Sequence, residues 1–332
     1  MIEIDGSYLE GGGQILRTSL SLSAILGKPF QISNIRANRP KKGLMPQHLA
    51  GVNAIMEITD ANVDGNTIGS TSLTFSPGKI NSGNYRFNIG TAGSTTLMCQ
   101  TILPVLLFGN NPSRIMLTGG THVIKSPTFE YFSQCLLKNL EKMGIKASAC
   151  IYNPGFYPQG SGRMSVSISP ARPKPYNFIE RGNFVSSFAH IISANLPAHI
   201  ADREEKQITE EIGSGIQILK SNYPKNPSTG NAVTIIHEYS GYTIASDCLG
   251  EVGKPAEKVA RDAMQSLENE VFGGGLDHNM VDQVLIYIAL AGGGSLRYGS
   301  LSAHARTNIY TIERFMGKIF EIDEAERKIT HI

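Results

Sequence analysis

The chain has 332 residues, 41% of them hydrophobic and 17% charged, with a formal net charge of +2. That balance excludes a disordered or strongly basic chain, and the length makes about two domains the prior expectation. Four scattered cysteines without a C-x-x-C pair, and no long apolar run free of Gln100 or Pro104, leave no zinc site, disulfide framework, export signal or membrane span to expect, so a cytoplasmic location is favoured.

In chain order, one pattern recurs three times: helix, glycine turn, strand, polar segment, helix. The first copy has a helix over Ile15 to Leu26, Gly27, a strand over Phe30 to Ile35, a polar segment from Arg36 to His48 and a helix to Ile58. The second has a helix over Ser94 to Phe108, Gly109, a strand over Arg114 to Leu117, a polar segment with His122 and Lys125, and a helix to Met143. The third has a helix over Met280 to Ala291, Gly292, a strand over Ser295 to Gly299, the segment Leu301 to Arg306, and a helix from about Thr307 to Met316. Each copy is expected to close with two strands: Ser72 to Phe75 and Tyr85 to Ile89, Lys146 to Tyr152 and Arg163 to Ile168, and Lys318 to Ile322 and Lys328 to Ile332. The apolar residues of the helices recur at helical spacing, as in Leu49, Val52 and Met56, and are read as core.

Gly27 and Gly109 are 82 residues apart, whereas Gly109 and Gly292 are 183 apart. The excess of roughly one hundred residues is the size of a small domain. It reads as a strand (Phe184 to Ile192), a helix (Pro197 to Leu219), two strands (Ala232 to Glu238 and Tyr242 to Asp247) and a helix (Pro255 to Val271). The expected fold class is therefore α/β (α+β): a body of three β/α units from 1–182 and 275–332, with a small α/β domain over 183–274 that carries its own core.

The chemistry-bearing residues fall in the polar segments. Glu10-Gly-Gly-Gly-Gln14 runs straight into a helix and presents bare backbone N–H groups to an anion, with Glu10 offering carboxylate oxygen to a hard cation and Arg17 a guanidinium to phosphate. No P-loop sequence occurs. Arg36 and Arg39, three apart before the helix that starts near Pro46, suit a phosphate monoester, against the plainer reading of a solvated basic loop. His304 occupies the equivalent slot in the third copy, where a helix N-terminus favours the neutral, nucleophilic imidazole, although a lone histidine is more often structural. The three polar segments are expected to converge if the units pack around a common axis.

Glu10-Gly-Gly-Gly-Gln-Ile-Leu-Arg17, Arg36-Ala-Asn-Arg39, Gly43-Leu-Met-Pro-Gln47-His48, Gln100, Gly155-Phe-Tyr-Pro158, Asp282-Gln283 and Ser302-Ala-His304 together resemble the RNA 3′-terminal phosphate cyclases over essentially the whole chain. The resemblance implies an ATP-dependent enzyme that converts RNA 3′-phosphate ends to 2′,3′-cyclic phosphates through a histidyl-AMP, releasing AMP and pyrophosphate. It also implies repeats like those of the enolpyruvyl transferases and a thioredoxin-like insertion. Carried over by motif, His304 is the nucleophile and Glu10 the ligand of Mg²⁺ or Mn²⁺. Arg17, Arg36, Arg39 and Gln47 receive the phosphate end. Gln100 and Asn279, Met280, Val281, Asp282 and Gln283 line the ATP site, with Pro127 and Tyr131 against adenine. One departure is Asn279, where the family commonly has an aromatic residue; the alternatives are looser packing of adenine or substitution by His278. Two other classes share parts of the pattern: a non-catalytic ribosome-assembly relative, which lacks the histidine, and an enolpyruvyl transferase, which needs neither Ser-Ala-His nor the insertion.

Overall fold

The protein is described by a computed structural model that covers residues 1–213 and 215–332. The first unit comprises β1 (Ile2–Asp5), α1 (Gly13–Leu26), β2 (Phe30–Ser33), α2 (Pro46–Thr59), β3 (Asn62–Asp64) and β4 (Leu73–Ser76). Its sheet has the order β1-β2-β4-β3, with β1 and β2 parallel and the other pairs antiparallel. The second comprises β5 (Asn84–Asn88), α3 (Thr95–Leu107), β6 (Ser113–Gly119), α4 (Phe129–Tyr131) continuing through a π-helical turn (Phe132–Leu136) into α5 (Leu137–Lys142), then β7 (Ala147–Asn153) and β8 (Gly162–Ile168). Its order, β5-β6-β8-β7, repeats the first.

The third unit opens with β9 (Tyr176–Phe178) and is then interrupted by β10 (Phe184–Ala194), α6 (Ala198–Ile212), β11 (Gln217–Tyr223), β12 (Gly230–Tyr239), β13 (Thr243–Leu249) and α7 (Ala256–Gly273). These strands form their own sheet, β11-β10-β12-β13. The unit resumes with α8 (His278–Ala291), β14 (Gly294–Arg297), α9 (Ala303–Met316), β15 (Phe320–Asp323) and β16 (Lys328–His331), in the order β9-β14-β16-β15. Three units of one β-α-β-α-β-β topology thus confirm the repeat and the mixed α/β class.

Gly27 and Gly292 end α1 and α8 in the left-handed region, at φ 66° in both, which only glycine adopts without a Cβ penalty. Helices α1, α2, α3, α8 and α9 pack on one another, with the sheets outside them. None is long and apolar enough to cross a membrane among the described residues.

Three expectations need correction. Each unit opens with a strand that the helix-first pattern omitted, so Tyr85 to Ile89 does not close the first unit; β5 pairs with β6 in the second. The helix expected to reach Leu219 stops at Ile212, and Gln217 to Tyr223 pairs in parallel with β10. The inserted sheet does not keep a separate core. Its buried residues, Ile191, Val233 and Ile244 among them, belong to one apolar cluster with Leu20, Leu103 and Phe132 of the body. Asn139 of α5 donates to the Thr243 carbonyl at 2.8 Å and accepts from the Thr243 N–H at 2.9 Å, so the helix of the second unit lies beneath the inserted strands.

Candidate active site

The N-terminal ends of α1, α2, α3 and α9 meet. Each offers unpaired N–H groups and the positive end of its dipole, an environment suited to anions. Ser302 caps α9, its hydroxyl accepting from the Ala305 N–H at 3.1 Å, and so places His304 in the first turn. His304 Nδ1 lies 2.8 Å from Glu10 Oε2. Arg39 pairs with the other oxygen of the same carboxylate. The Gly-rich loop, the arginine segment and α9 are thereby tied at one group. Glu10 is 13% exposed and His304 52%, so the carboxylate is the buried anchor and the imidazole the accessible partner.

The contact with the Glu10 carboxylate favours the tautomer with its proton on Nδ1, which leaves the lone pair of His304 on Nε2. Burial pushes its pKa below the usual 6.5, opposed by the nearby Asp282 carboxylate. The ring is therefore neutral at physiological pH. Asp282 is itself raised to about 6 by burial, with His304 and Arg17 opposing.

Arg17 is half-buried beside His48 and Gly51 of α2 and donates to Gln14 Oε1 at 2.6 Å. Burial lowers it to about 10, which leaves it charged, and its Nε has no hydrogen-bond partner among the described residues. A cationic group with an unused donor fits a phosphate receptor. Gln47 instead accepts from the Ser94 N–H at 2.9 Å, so its amide nitrogen is free of that bond. Arg36, at φ 55°, folds back onto the carbonyls of Lys41 and Gly43.

The residues expected around ATP divide. Arg17, Gln100, Asp282 and Gln283 line one narrow cavity of about 20 Å³, where Gln100 Nε2 donates to Gln283 Oε1 at 2.6 Å. Asn279 is exposed and its carbonyl accepts from Gln283 Nε2 at 2.7 Å, whereas Met280 and Val281 have fully buried side chains. Tyr131 is also buried, its hydroxyl donating to Asp277. Pro127 is half-buried, its carbonyl accepting from Thr96 at 2.8 Å. His278 is held by Glu270 through its backbone N–H and Nδ1. A separate groove of about 510 Å³ lies between Phe184, His237, Tyr239 and Phe272 and is lined by none of these residues.

The first and third polar segments converge as expected, but the second does so only through backbone. His122 is turned inward between Thr121 and Glu130, and Gly120 bonds to Gly93 beside α3. Two further groups stood within the quoted motifs without a role of their own. His48 faces Gly13, its Nδ1 accepting from the Met45 N–H at 3.3 Å; burial, with Arg17 and Arg36 adding to it, lowers it to about 3 and keeps it neutral. Asn38 donates to the carbonyls of Ser7 and Leu9 at 2.8 and 3.1 Å and fastens the arginine segment to the loop bearing Glu10. A short polar residue between two arginines was the available signal for Asn38.

Fold and site together define a repeat-built α/β enzyme with an anion-receptive cleft. A family model described as RNA 3′-terminal phosphate cyclase matches residues 8–322. Proteins named RNA 3′-terminal phosphate cyclase are 42% identical in Koribacter versatilis, over 98% of this chain and 93% of that one, and 41% identical in Sulfurisphaera tokodaii, over 97% and 96%. The namesake from Archaeoglobus fulgidus is 40% identical over 97% of this chain and 98% of its own. This chain belongs to the RNA 3′-terminal phosphate cyclase family. The solved enolpyruvyl transferase NikO from Streptomyces tendae is similar only at a TM-score of 0.30 and 12% identity, over 49% of this chain and 31% of that one, and adds nothing to the argument.

Proposed function

We propose that the protein uses ATP to convert RNA 3′-phosphate ends to 2′,3′-cyclic phosphates through an adenylylated His304. Nε2 attacks the α-phosphorus of ATP; an N–P bond forms, the bond to the bridging oxygen breaks and pyrophosphate leaves. An oxygen of the RNA 3′-phosphate then attacks the same phosphorus and His304 departs. The neighbouring 2′-oxygen, losing its proton, finally closes on the 3′-phosphorus and expels AMP. Activation is needed because a phosphate monoester has no good leaving group.

The observation that carries this reading is the His304–Glu10–Arg39 contact, which joins a neutral imidazole with a free Nε2 to the arginine segment. Arg17, Arg36, Arg39 and Gln47 would receive the phosphate end, and Gln100, Asp282 and Gln283 the nucleotide. Asn279 lies beside them, while Met280 and Val281 would contribute through backbone and packing. Pro127 is half-buried on Thr96 and Tyr131 fully buried on Asp277, so adenine would meet Pro127 before the tyrosine.

Both oxygens of Glu10 are shut off from solvent and, among the described residues, meet Arg39 and His304 at ion-pair distance without hydrogen-bond geometry, so a hard cation would take the carboxylate in exchange for one of these contacts. Among the described residues no three His, Cys, Asp or Glu side chains cluster for a metal. That fits Mg²⁺ or Mn²⁺ held by one carboxylate and by substrate phosphates, as Mg²⁺ commonly is. When bound there, the cation would supply charge stabilisation at the phosphoryl oxygens.

Incubation with ATP should add one AMP by intact mass, in an acid-labile, base-stable linkage, and His304→Ala should gain none. Because burial lowers the imidazole pKa, transfer should be independent of pH from neutrality upward and lose rate only below the ordinary 6.5. Labelling of the alanine variant would overturn the assignment.

A further inference from the structure

The three units share one topology and keep their helices on one side, so their outer sheet faces form an internal comparison. The strands of the first unit, IEID, FQIS, NVD and LTFS, carry Glu3, Asp5 and Asp64 and no lysine or arginine. Those of the third carry Glu321 and Asp323 against Arg297 and Lys328. The second unit differs from both. Its strands, NYRFN, SRIMLTG, ASACIYN and GRMSVSI, contain no carboxylate and present Arg86, Arg114 and Arg163 on the exposed face.

None of these three guanidiniums is ion-paired among the described residues. Arg114 donates to the Tyr152 hydroxyl at 2.8 Å, and Arg163 lies 5.9 Å from the centre of the same ring, which is 44% exposed. The register sets Arg86 opposite Met116, Arg114 opposite Asn84 and Arg163 opposite Thr118. With strands about 4.8 Å apart and residues about 3.4 Å apart, the Cα positions of Arg86 and Arg114 are about 8 Å apart and those of Arg114 and Arg163 about 14 Å. That spacing is too wide for one anion and suits a chain of them.

The far end of this face adjoins the cleft. Thr118, paired with Arg163, leads into Gly120, whose N–H donates to the Gly93 carbonyl at 2.8 Å, and the next residue, Ser94, donates its N–H to Gln47 at 2.9 Å. We propose that the outer face of the β5-β6-β8-β7 sheet binds the phosphodiester backbone of the RNA upstream of the end that enters the cleft. This rests on the reading of the substrate as RNA. A protein partner is disfavoured because the face lacks the apolar centre that protein interfaces bury, Tyr152 being its one large exposed apolar side chain.

The test replaces Arg86, Arg114 and Arg163 together by serine and, separately, by lysine. Cyclisation is measured on 3′-phosphate oligonucleotides of three and about twenty nucleotides. Binding of the longer RNA with a 3′-hydroxyl is followed by anisotropy across a salt series. The serine variant should raise KM for the long substrate about tenfold or more, leave kcat and the trinucleotide unchanged, and flatten the salt dependence by about 2 in log–log slope, at about 0.7 per phosphate contact. The lysine variant should behave as wild type. Arg86→Ser alone, at a residue whose side chain makes no hydrogen bond among the described residues, should flatten the slope by about 0.7 and decides the matter if the triple variant melts early.

Unchanged long-RNA affinity and slope would overturn the proposal, as would equal losses on both substrate lengths. So would loss of self-association or of capture of an acidic protein with RNA affinity intact. If wild type binds the long RNA through these arginines but cyclises none, the proposed reaction fails and this surface stands. If it cyclises trinucleotides yet binds long RNA no better than the serine variant, the surface fails and the reaction stands.

Discussion

Arg36 and Arg39 read alike in the sequence, and side-chain geometry separates them. Arg39 holds the carboxylate that also meets His304, whereas Arg36 is spent on carbonyls of its own loop. A monoester entering the cleft would have to draw Arg36 off Lys41 and Gly43. Arg39→Ala should therefore slow both AMP transfer to the protein and cyclisation, because it releases Glu10. Arg36→Ala should spare AMP transfer and slow cyclisation; loss of charge-assisted contacts to a dianion costs on the order of 3 kcal/mol, roughly a hundredfold in rate. Single-turnover rates of the two steps in the two variants check this, and equal effects of Arg36→Ala on both would place it with the nucleotide. Residue type and spacing made the arginines, Glu10 and His304 legible as candidates. What they could not convey was direction: Met280 and Val281 lie in the same motif as Asp282 and Gln283, yet helical rotation sends their side chains into the core.

At the scale of elements, the position of His304 depends on how α9 begins. The helix was expected from about Thr307, but the Ser302 cap starts it at Ala303 and brings the histidine into the first turn. Ser302→Ala should cost about 1 kcal/mol and let that turn fray. Melting temperature should fall by a few degrees and AMP transfer more steeply, while Ser302→Asp, which retains an acceptor, should restore the melt. A variant with normal transfer despite a lowered melt would show that His304 is held by Glu10 alone. The long helices were legible because their apolar residues recur over several turns. The opening strands were not: β1 offers only Ile2 and Ile4 and β9 three residues, too few for a period to stand out. β11 is a polar edge strand, Gln-Ile-Leu-Lys-Ser-Asn-Tyr, and it was absorbed into the preceding helix.

At the scale of the molecule, the interval between marker glycines motivates the division we propose, a repeat body over 1–182 and 275–332 with an insertion over 183–274. From sequence, a body relieved of the insertion should fold and accept AMP. The packing changes that expectation. The inserted strands cover α4, the π-helical turn and α5: Cys135 and Asn139 bond to Thr243, Asp247 accepts from the Thr128 N–H at 2.9 Å, and Asp277, near the residues proposed for the nucleotide, accepts from the Ala245 N–H at 3.3 Å. Excision would expose Phe132 and its neighbours at about 1.5–3 kcal/mol for each large apolar side chain, and would leave buried polar groups unpaired at about 1–3 kcal/mol each. A few such losses reach the 5–15 kcal/mol by which native proteins are typically stable. A chain with 183–274 replaced by a short flexible linker should therefore lose its cooperative melt, bind a dye for exposed apolar surface and accept no AMP. Restoring polar residues at the uncovered helix, for example Phe132→Gln with Cys135→Ser, should recover some folded protein. If the simple deletion melts cooperatively and still takes up AMP, the inserted sheet is a dispensable neighbour rather than the cover of the second unit.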